Sequence, residues 1–112
     1  MAAKFEIHRA SDRQFHFHLK AANGEIILSS ELYKTRGGAM NGIASVQRNG
    51  ADADRFQRRE DKLGQPYFVL KAANHQIIGT SEMYESTAAM EKGIKSVIKN
   101  ATAEIHDLTS DN

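Results

Sequence analysis

Apolar and polar residues alternate along Lys4-Phe-Glu-Ile-His-Arg9 and again along Gln14-Phe-His-Phe-His-Leu-Lys20, the period-two pattern of half-buried strands. Phe15, Phe17 and Leu19 therefore share one side of the second strand, and His16, His18 and Lys20 share the other. The short polar stretch Ala10-Ser-Asp-Arg13 connects the two. Asn23-Gly24, a dipeptide in which both residues tolerate positive φ, predicts a hairpin into a third strand, Glu25-Ile-Ile-Leu-Ser29. From Thr35 the period changes: Ala39, Ile43 and Val46 recur at helical spacing, with Met40 and Gln47 at the margin of the stripe. Thr35 is the expected N-cap of this amphipathic helix, and Asn49-Gly50 its expected stop.

The second half repeats the first at a constant offset of 51 residues. Phe17, Leu19-Lys-Ala-Ala-Asn23 and Ile26-Ile27 recur as Phe68, Leu70-Lys-Ala-Ala-Asn74 and Ile77-Ile78. Ser30, Glu31, Tyr33, Gly42, Ile43, Ser45, Val46 and Asn49 recur as Ser81, Glu82, Tyr84, Gly93, Ile94, Ser96, Val97 and Asn100. The chain is an internal duplication, and each half alone is near the size at which a core becomes hard to sustain. We expect a single domain, 1–112, built of repeats 1–53 and 54–112 that share one core.

Reading the second copy by the first gives a strand at Arg55–Glu60, with Phe56 matching Phe5, and a connection Lys62-Leu-Gly-Gln-Pro66. A strand Tyr67–Lys71 and a helix from about Thr87 to Lys99 follow, the helix capped by Ser86 with Met90, Ile94, Val97 and Ile98 on its buried side. Asn74-His75 replaces Asn-Gly, which predicts a hairpin either strained or of another type. Ala103–Leu108 reads as a last strand, with Thr109 to Asn112 expected to fray. Gly42 and Gly93 sit mid-helix, where glycine costs roughly 1 kcal/mol relative to alanine, so close contact with the sheet or the sister helix is expected there. The order of elements favours an α+β fold: two tandem β-β-β-α-β units on one largely antiparallel sheet, with both helices on one face.

Net charge is only +1, from 15 basic and 14 acidic residues, which argues against a strong generic binder of phosphate backbones. Residues 1–50 hold the basic excess, so any basic face is expected in the first copy. The absence of cysteine excludes disulfides, thiol catalysis and thiolate metal sites. No secretory apolar run and no stretch of about 18 apolar residues is present, so the expected location is cytoplasmic, away from membranes.

The paired strings Leu-Lys-Ala-Ala-Asn (19–23 and 70–74), Ser-Glu-x-Tyr (30–33 and 81–84) and Gly-Ile-x-Ser-Val (42–46 and 93–97) resemble the bacterial YegP-like family over nearly the whole chain. That resemblance implies two units completing one continuous sheet with exchanged C-terminal strands, which here would be Arg55–Glu60 and Ala103–Leu108. The family has no established activity, so it carries over no catalytic residues. His75 in place of the turn glycine and Gly79 in place of Leu28 are its slight departures.

Among candidate chemistry, His16 and His18 share a strand face and could chelate jointly, yet the second copy has Tyr67 and Val69 there, which points to bulk rather than metal ligation. His8, His75 and His106 complete the histidine set. Ser30-Glu31 with Tyr33, and Ser81-Glu82 with Tyr84, lack a base repeated nearby in both copies and read as strand ends beneath a helix. Gly37-Gly38 becomes Ala88-Ala89, which excludes a repeated phosphate loop. No catalytic, cofactor or metal site is expected. The function expected is a small non-enzymatic binding or accessory module whose open sheet face carries His16, His18, Lys20, Tyr67 and Lys71. Its expected partner is a protein, a peptide or single-stranded nucleic acid, and the expected state is a monomer that acts as a pseudo-dimer. The alternative is a small enzyme with a site at the junction of the repeats.

Overall fold

The computed structural model describes residues 2–109. Chain order is β1 (Lys4–Arg9), a 3-10 turn (Ser11–Arg13), β2 (Phe15–Lys20), β3 (Ile26–Ser29), α1 (Arg36–Asn49) and a second 3-10 turn (Ala53–Arg55). Then come β4 (Phe56–Glu60), β5 (Pro66–Lys71), β6 (Ile77–Thr80), α2 (Thr87–Asn100) and β7 (Glu104–Asp107). One sheet runs β4-β5-β6-β3-β2-β1-β7, antiparallel throughout except that β7 lies parallel to β1. The strand after α1 pairs with β5 of the second copy, and the strand after α2 pairs with β1 of the first. β7 is thus exchanged onto the first copy, whereas β4 both follows α1 and opens the second copy as the counterpart of β1.

β3 and β6 meet through Ser29 and Thr80, which occupy the same position of the repeat. A residue paired with its own counterpart in an antiparallel ladder lies on a twofold axis, so the pseudo-axis passes through that pair, perpendicular to the sheet. Both helices consequently lie on one face. Beneath them Phe5, Ile7, Phe17, Leu19, Ile43 and Val46 of the first copy join Phe56, Phe68, Leu70, Met90, Ile94 and Val97 of the second in one core. Each such side chain contributes roughly 1.5–3 kcal/mol when fully buried, which neither half could accumulate alone.

Where the axis brings counterparts together, the copies differ. A Cβ on Gly79 would stand 2.6 Å from Cγ of Leu28, its own counterpart, and a Cβ on Gly50 would stand 2.9 Å from Cβ of Ala101, its counterpart. Two identical side chains cannot share one space on an axis, and at both places one copy has given up its side chain. Gly50 therefore ends α1 in a right-handed conformation, φ −70°, instead of the left-handed one expected of a terminal glycine. Its smallness is what the site uses.

The close contact expected at the mid-helix glycines comes from tyrosine. Tyr33 stacks on Phe17 with ring centroids 6.2 Å apart, and Tyr84 on Phe68 at the same 6.2 Å. A Cβ on Gly42 would lie 2.8 Å from Tyr33 Cζ and 2.9 Å from Phe17 Cε2. The helices begin at the predicted caps, where Thr35 Oγ1 accepts from Gly38 N at 2.9 Å and Ser86 Oγ accepts from Ala89 N at 3.1 Å.

Two hairpin expectations change in detail. Only one residue of each β2–β3 or β5–β6 turn has positive φ, Gly24 at 88° and His75 at 71°. Asn23 instead accepts from Glu25 N at 3.0 Å through its side chain, as Asn74 does from Gln76 N at 3.1 Å. Both turns close with the same backbone bond, to Ala21 O and Ala72 O at 2.9 Å, so the turn type is unchanged and His75 bears the strain. We expect His75→Gly to raise stability by about 1 kcal/mol, read as a shift of the urea midpoint without change in slope. An unaltered midpoint would show the left-handed histidine to be unstrained.

Thr109, expected to fray, is buried and bonds Asp107 through both its amide and its hydroxyl. A hydroxyl that can satisfy a carboxylate at the end of β7 is held by that bond. Ser110 to Asn112 lie outside the described residues.

Candidate functional site

Register assigns the residues of the helix-free face. Directly opposed residues point to the same side of a sheet, and the cross-strand pairs Lys4–Lys20, Glu6–His18, His8–His16, His18–Ser29, Ser29–Thr80, Thr80–Val69, Val69–Gln57 and Tyr67–Arg59 link into one continuous surface. Phe17, Leu19, Phe68 and Leu70 point the other way, into the core. All five predicted residues, His16, His18, Lys20, Tyr67 and Lys71, therefore belong to this face. Each is half-buried, because long neighbouring side chains fold across the sheet.

Its two halves have different chemistry. In the first copy Glu6, buried at 6% exposure, accepts Lys20 Nζ at 2.9 Å and Lys4 Nζ at 3.4 Å, and lies 3.2 Å from His8 Nε2. The Lys20 bond, aided by Lys4 and His8, holds its carboxyl at about 2 despite burial. Beside it the rings of His8, His16 and His18 cluster, with centroids 5.5, 5.1 and 4.9 Å apart. Burial first, then the neighbouring His16 and His8, push His18 down to about 4, and burial with His8 also lowers His16. The Nδ1 atoms of His16 and His18 are enclosed without a hydrogen-bond partner among the described residues, which suits neutral rings. His8 stacks on His16 and His18 lies tilted against both, and among the described residues no group of three or more His, Cys, Asp or Glu is arranged to hold a metal ion.

In the second copy the same positions read Arg55, Gln57, Arg59, Tyr67, Val69 and Lys71. Gln57 stands where Glu6 does and accepts from Arg59 Nη2 at 2.7 Å. Among the described residues no carboxylate pairs with Arg59 or Lys71. Unbalanced basic charge on this face is thus greater in the second copy, contrary to the count by halves, because Glu6 offsets one of the first copy's two lysines while Gln57 offsets no charge of Arg59 or Lys71.

These groups make stability fall with acid in two stages. His18 has a folded pKa below that of the free side chain, so the unfolded chain takes up a proton first, and stability present above about 6.5 declines toward about 4. Glu6 likewise contributes above about 4.5 and is lost as pH falls toward about 2. His18→Val, the second copy's residue, should flatten the upper stage, and Glu6→Gln should remove roughly 2 kcal/mol of the lower one in urea titrations from pH 7.5 to 2.5. Parallel curves for Glu6→Gln and the parent would contradict this assignment.

Sequence reasoning missed His8 and Glu6. The signal lies in the pairing register of β1 with β2 across the Ala10–Arg13 turn, which sets Glu6 opposite His18 and His8 opposite His16.

Two clefts also open where the repeats meet. One of about 310 Å3 is lined by Asn23, Glu25 and Ile26 of the first copy and Glu82, Tyr84 and Lys92 of the second. Its counterpart of about 460 Å3 is lined by Glu31, Tyr33, His75 and Gln76. The nearby serines are committed to the backbone: Ser30 Oγ accepts from Phe17 N and donates to Glu31 O, both at 2.8 Å, while Ser81 accepts from Phe68 N at 2.9 Å and donates to Glu82 O at 2.8 Å. A hydroxyl so engaged ties the end of one strand to its neighbour and is not poised as a nucleophile. Among the described residues, no helix is long and apolar enough to cross a membrane.

A model of a domain of unknown function, DUF1508, matches residues 10–57 and again 61–107. A UPF0339 protein of Mannheimia succiniciproducens is 57% identical over 106 residues, 94% of each chain. A UPF0339 protein of Shewanella oneidensis is 56% identical over 110 residues, 97% of this chain and 100% of that one. The solution structure of the Escherichia coli protein of unknown function yegP superposes with a TM-score of 0.92 at 49% identity, covering 100% of this chain and 97% of that one. A solution structure of a Shewanella oneidensis UPF0339 protein gives 0.90 at 56%, covering 96% and 92%. None of these descriptions states an enzymatic activity. Carrying the DUF1508 unit twice on one sheet, the chain belongs to the family of UPF0339, or YegP-like, proteins.

Proposed function

We propose that the protein is a non-enzymatic binding module, working in the cytoplasm as a monomer, that takes up an extended partner chain on its helix-free sheet face. One observation carries this reading. Neutral rings at His16 and His18 and the ring of Tyr67 share a continuous surface with Arg59 and Lys71, cations without a carboxylate partner among the described residues. Rings offer planar apolar contact, and the cations offer charge-assisted bonds to an acidic peptide or a phosphodiester strand. Their extension along adjacent strands suits an extended ligand better than a compact one.

The test is a triple variant, His16→Ser, Tyr67→Ser and Lys71→Ser. All three side chains are half-buried on the face away from the core, so thermal stability should shift by only a few degrees. Binding of the partner chain recovered with the parent protein should fall at least tenfold. A salt-steep loss of binding assigns the partner to nucleic acid and a shallow one to peptide or protein. Unchanged capture by the triple variant overturns the reading.

A further inference from the structure

The pseudo-twofold leaves one strand position empty. β7 lies outside β1, pairing Glu104, Ile105, His106 and Asp107 with Lys4, Phe5, Glu6 and Ile7. β4 is the counterpart of β1: Phe56 faces Leu70 as Phe5 faces Leu19, and Arg58 faces Phe68 as Ile7 faces Phe17. Yet among the described residues β4 ends the sheet, with no strand beyond it. Connectivity dictates this, because the segment after α1 that would supply an outer strand is itself β4.

We propose that the open edge of β4 binds an extended peptide segment of a partner protein, parallel to β4 and reading acid, aliphatic, polar, acid. The molecule's own β7 is the template. Shifting its register onto β4 sets the acid of Glu104 opposite Arg55, the aliphatic Ile105 opposite Phe56, His106 opposite Gln57 and the acid of Asp107 opposite Arg58. The charges are complementary at the Arg55 end, while at the other end the acid joins Glu91 on the Arg58 guanidinium. A cleft of about 410 Å3 at the start of β4 is lined by Asp54 and by Arg55 to Arg58, with Lys71 and His75 bordering it from the β5 side. Arg55 Nε has no hydrogen-bond partner among the described residues and only a 3.5 Å ion pair with Asp52.

The same charges select the ligand. A charged edge resists addition of an apolar strand from another chain, so a segment that brings an acid to Arg55 gains backbone pairing without leaving that cation desolvated. Arg58 is held on the helix side by Glu91, which a peptide acid would have to share.

The probe is a capped synthetic peptide of residues 102–109, Thr-Ala-Glu-Ile-His-Asp-Leu-Thr, titrated into isotope-labelled full-length protein. Amide shifts should concentrate at residues 55–60. A peptide with lysine in place of both acids should bind at least tenfold more weakly, as should the parent peptide to Arg55→Glu, whose unchanged core amides report an intact fold. Absence of shifts at 55–60 at millimolar peptide, shifts confined to residues 4–9, or equal binding of the charge-reversed peptide would overturn the proposal.

Discussion

Gly93→Ala will destabilise the protein by about 2–3 kcal/mol, although alanine is the better helix former by roughly 1 kcal/mol. The reason is Tyr84. A Cβ on Gly93 would lie 2.7 Å from Tyr84 Cζ and 3.2 Å from Phe68 Cε2, and the tyrosine is wedged between a stacked phenylalanine and the helix. Moving the ring out breaks its contact with Phe68, and moving the helix opens the core around Ile94 and Val97. Gly42→Ala should behave alike through Tyr33, since its Cβ would meet Cζ at 2.8 Å. The check is chemical denaturation of each variant alone and with its tyrosine cut to alanine. Tyr84→Ala alone costs packing, but adding Gly93→Ala to it should cost nothing further or restore some stability through helix propensity. A neutral Gly93→Ala in the parent would mean that inheritance, not contact, preserves the glycine.

The second large effect lies on the axis. Leu28 is fully buried, and removing its side chain leaves a cavity at the centre of the shared sheet, a loss of about 3–5 kcal/mol for Leu28→Gly. Gly79→Leu forces a second isobutyl group into space Leu28 already fills, with Cβ at 2.6 Å from Leu28 Cγ and 2.7 Å from Cδ2. Overpacking at a buried, two-sided contact should cost about 3 kcal/mol or more. Each single change is thus harmful for an opposite reason, one void and one clash.

Much of the fold was legible because the chain states it twice. Alternation at Phe15, Phe17 and Leu19 gave a strand face, and the recurrence at Phe68 and Leu70 gave it again with independent flanking residues. The helix caps at Thr35 and Ser86 were readable since a hydroxyl before an apolar stripe has one common use. What resisted reading was whatever depends on contact across the axis. Nothing local in Gly50 or Gly79 says that Ala101 or Leu28 will press against it. The hairpin at Asn23-Gly24 was legible, but asparagine serves a turn either by backbone tolerance or by its side chain, and only the fold shows which. The parallel course of β7 follows from where α2 delivers the chain, and the binding face gained Glu6 and His8 only once β1 was placed beside β2. Charge counted by halves misled for the same reason, since Glu6 bonds Lys20, which is remote from it in sequence, while Gln57 at the equivalent position carries no charge.

The measurement that tests the pseudo-twofold most directly is the stability of the exchanged pair, Leu28→Gly with Gly79→Leu, against the two single variants in urea. Because the positions are equivalent about the axis, the double variant moves one side chain from one copy to the other and keeps the volume. It should recover most of the parent's stability, with a coupling of at least about 3 kcal/mol between the sites. Simple addition of the two losses would contradict the account.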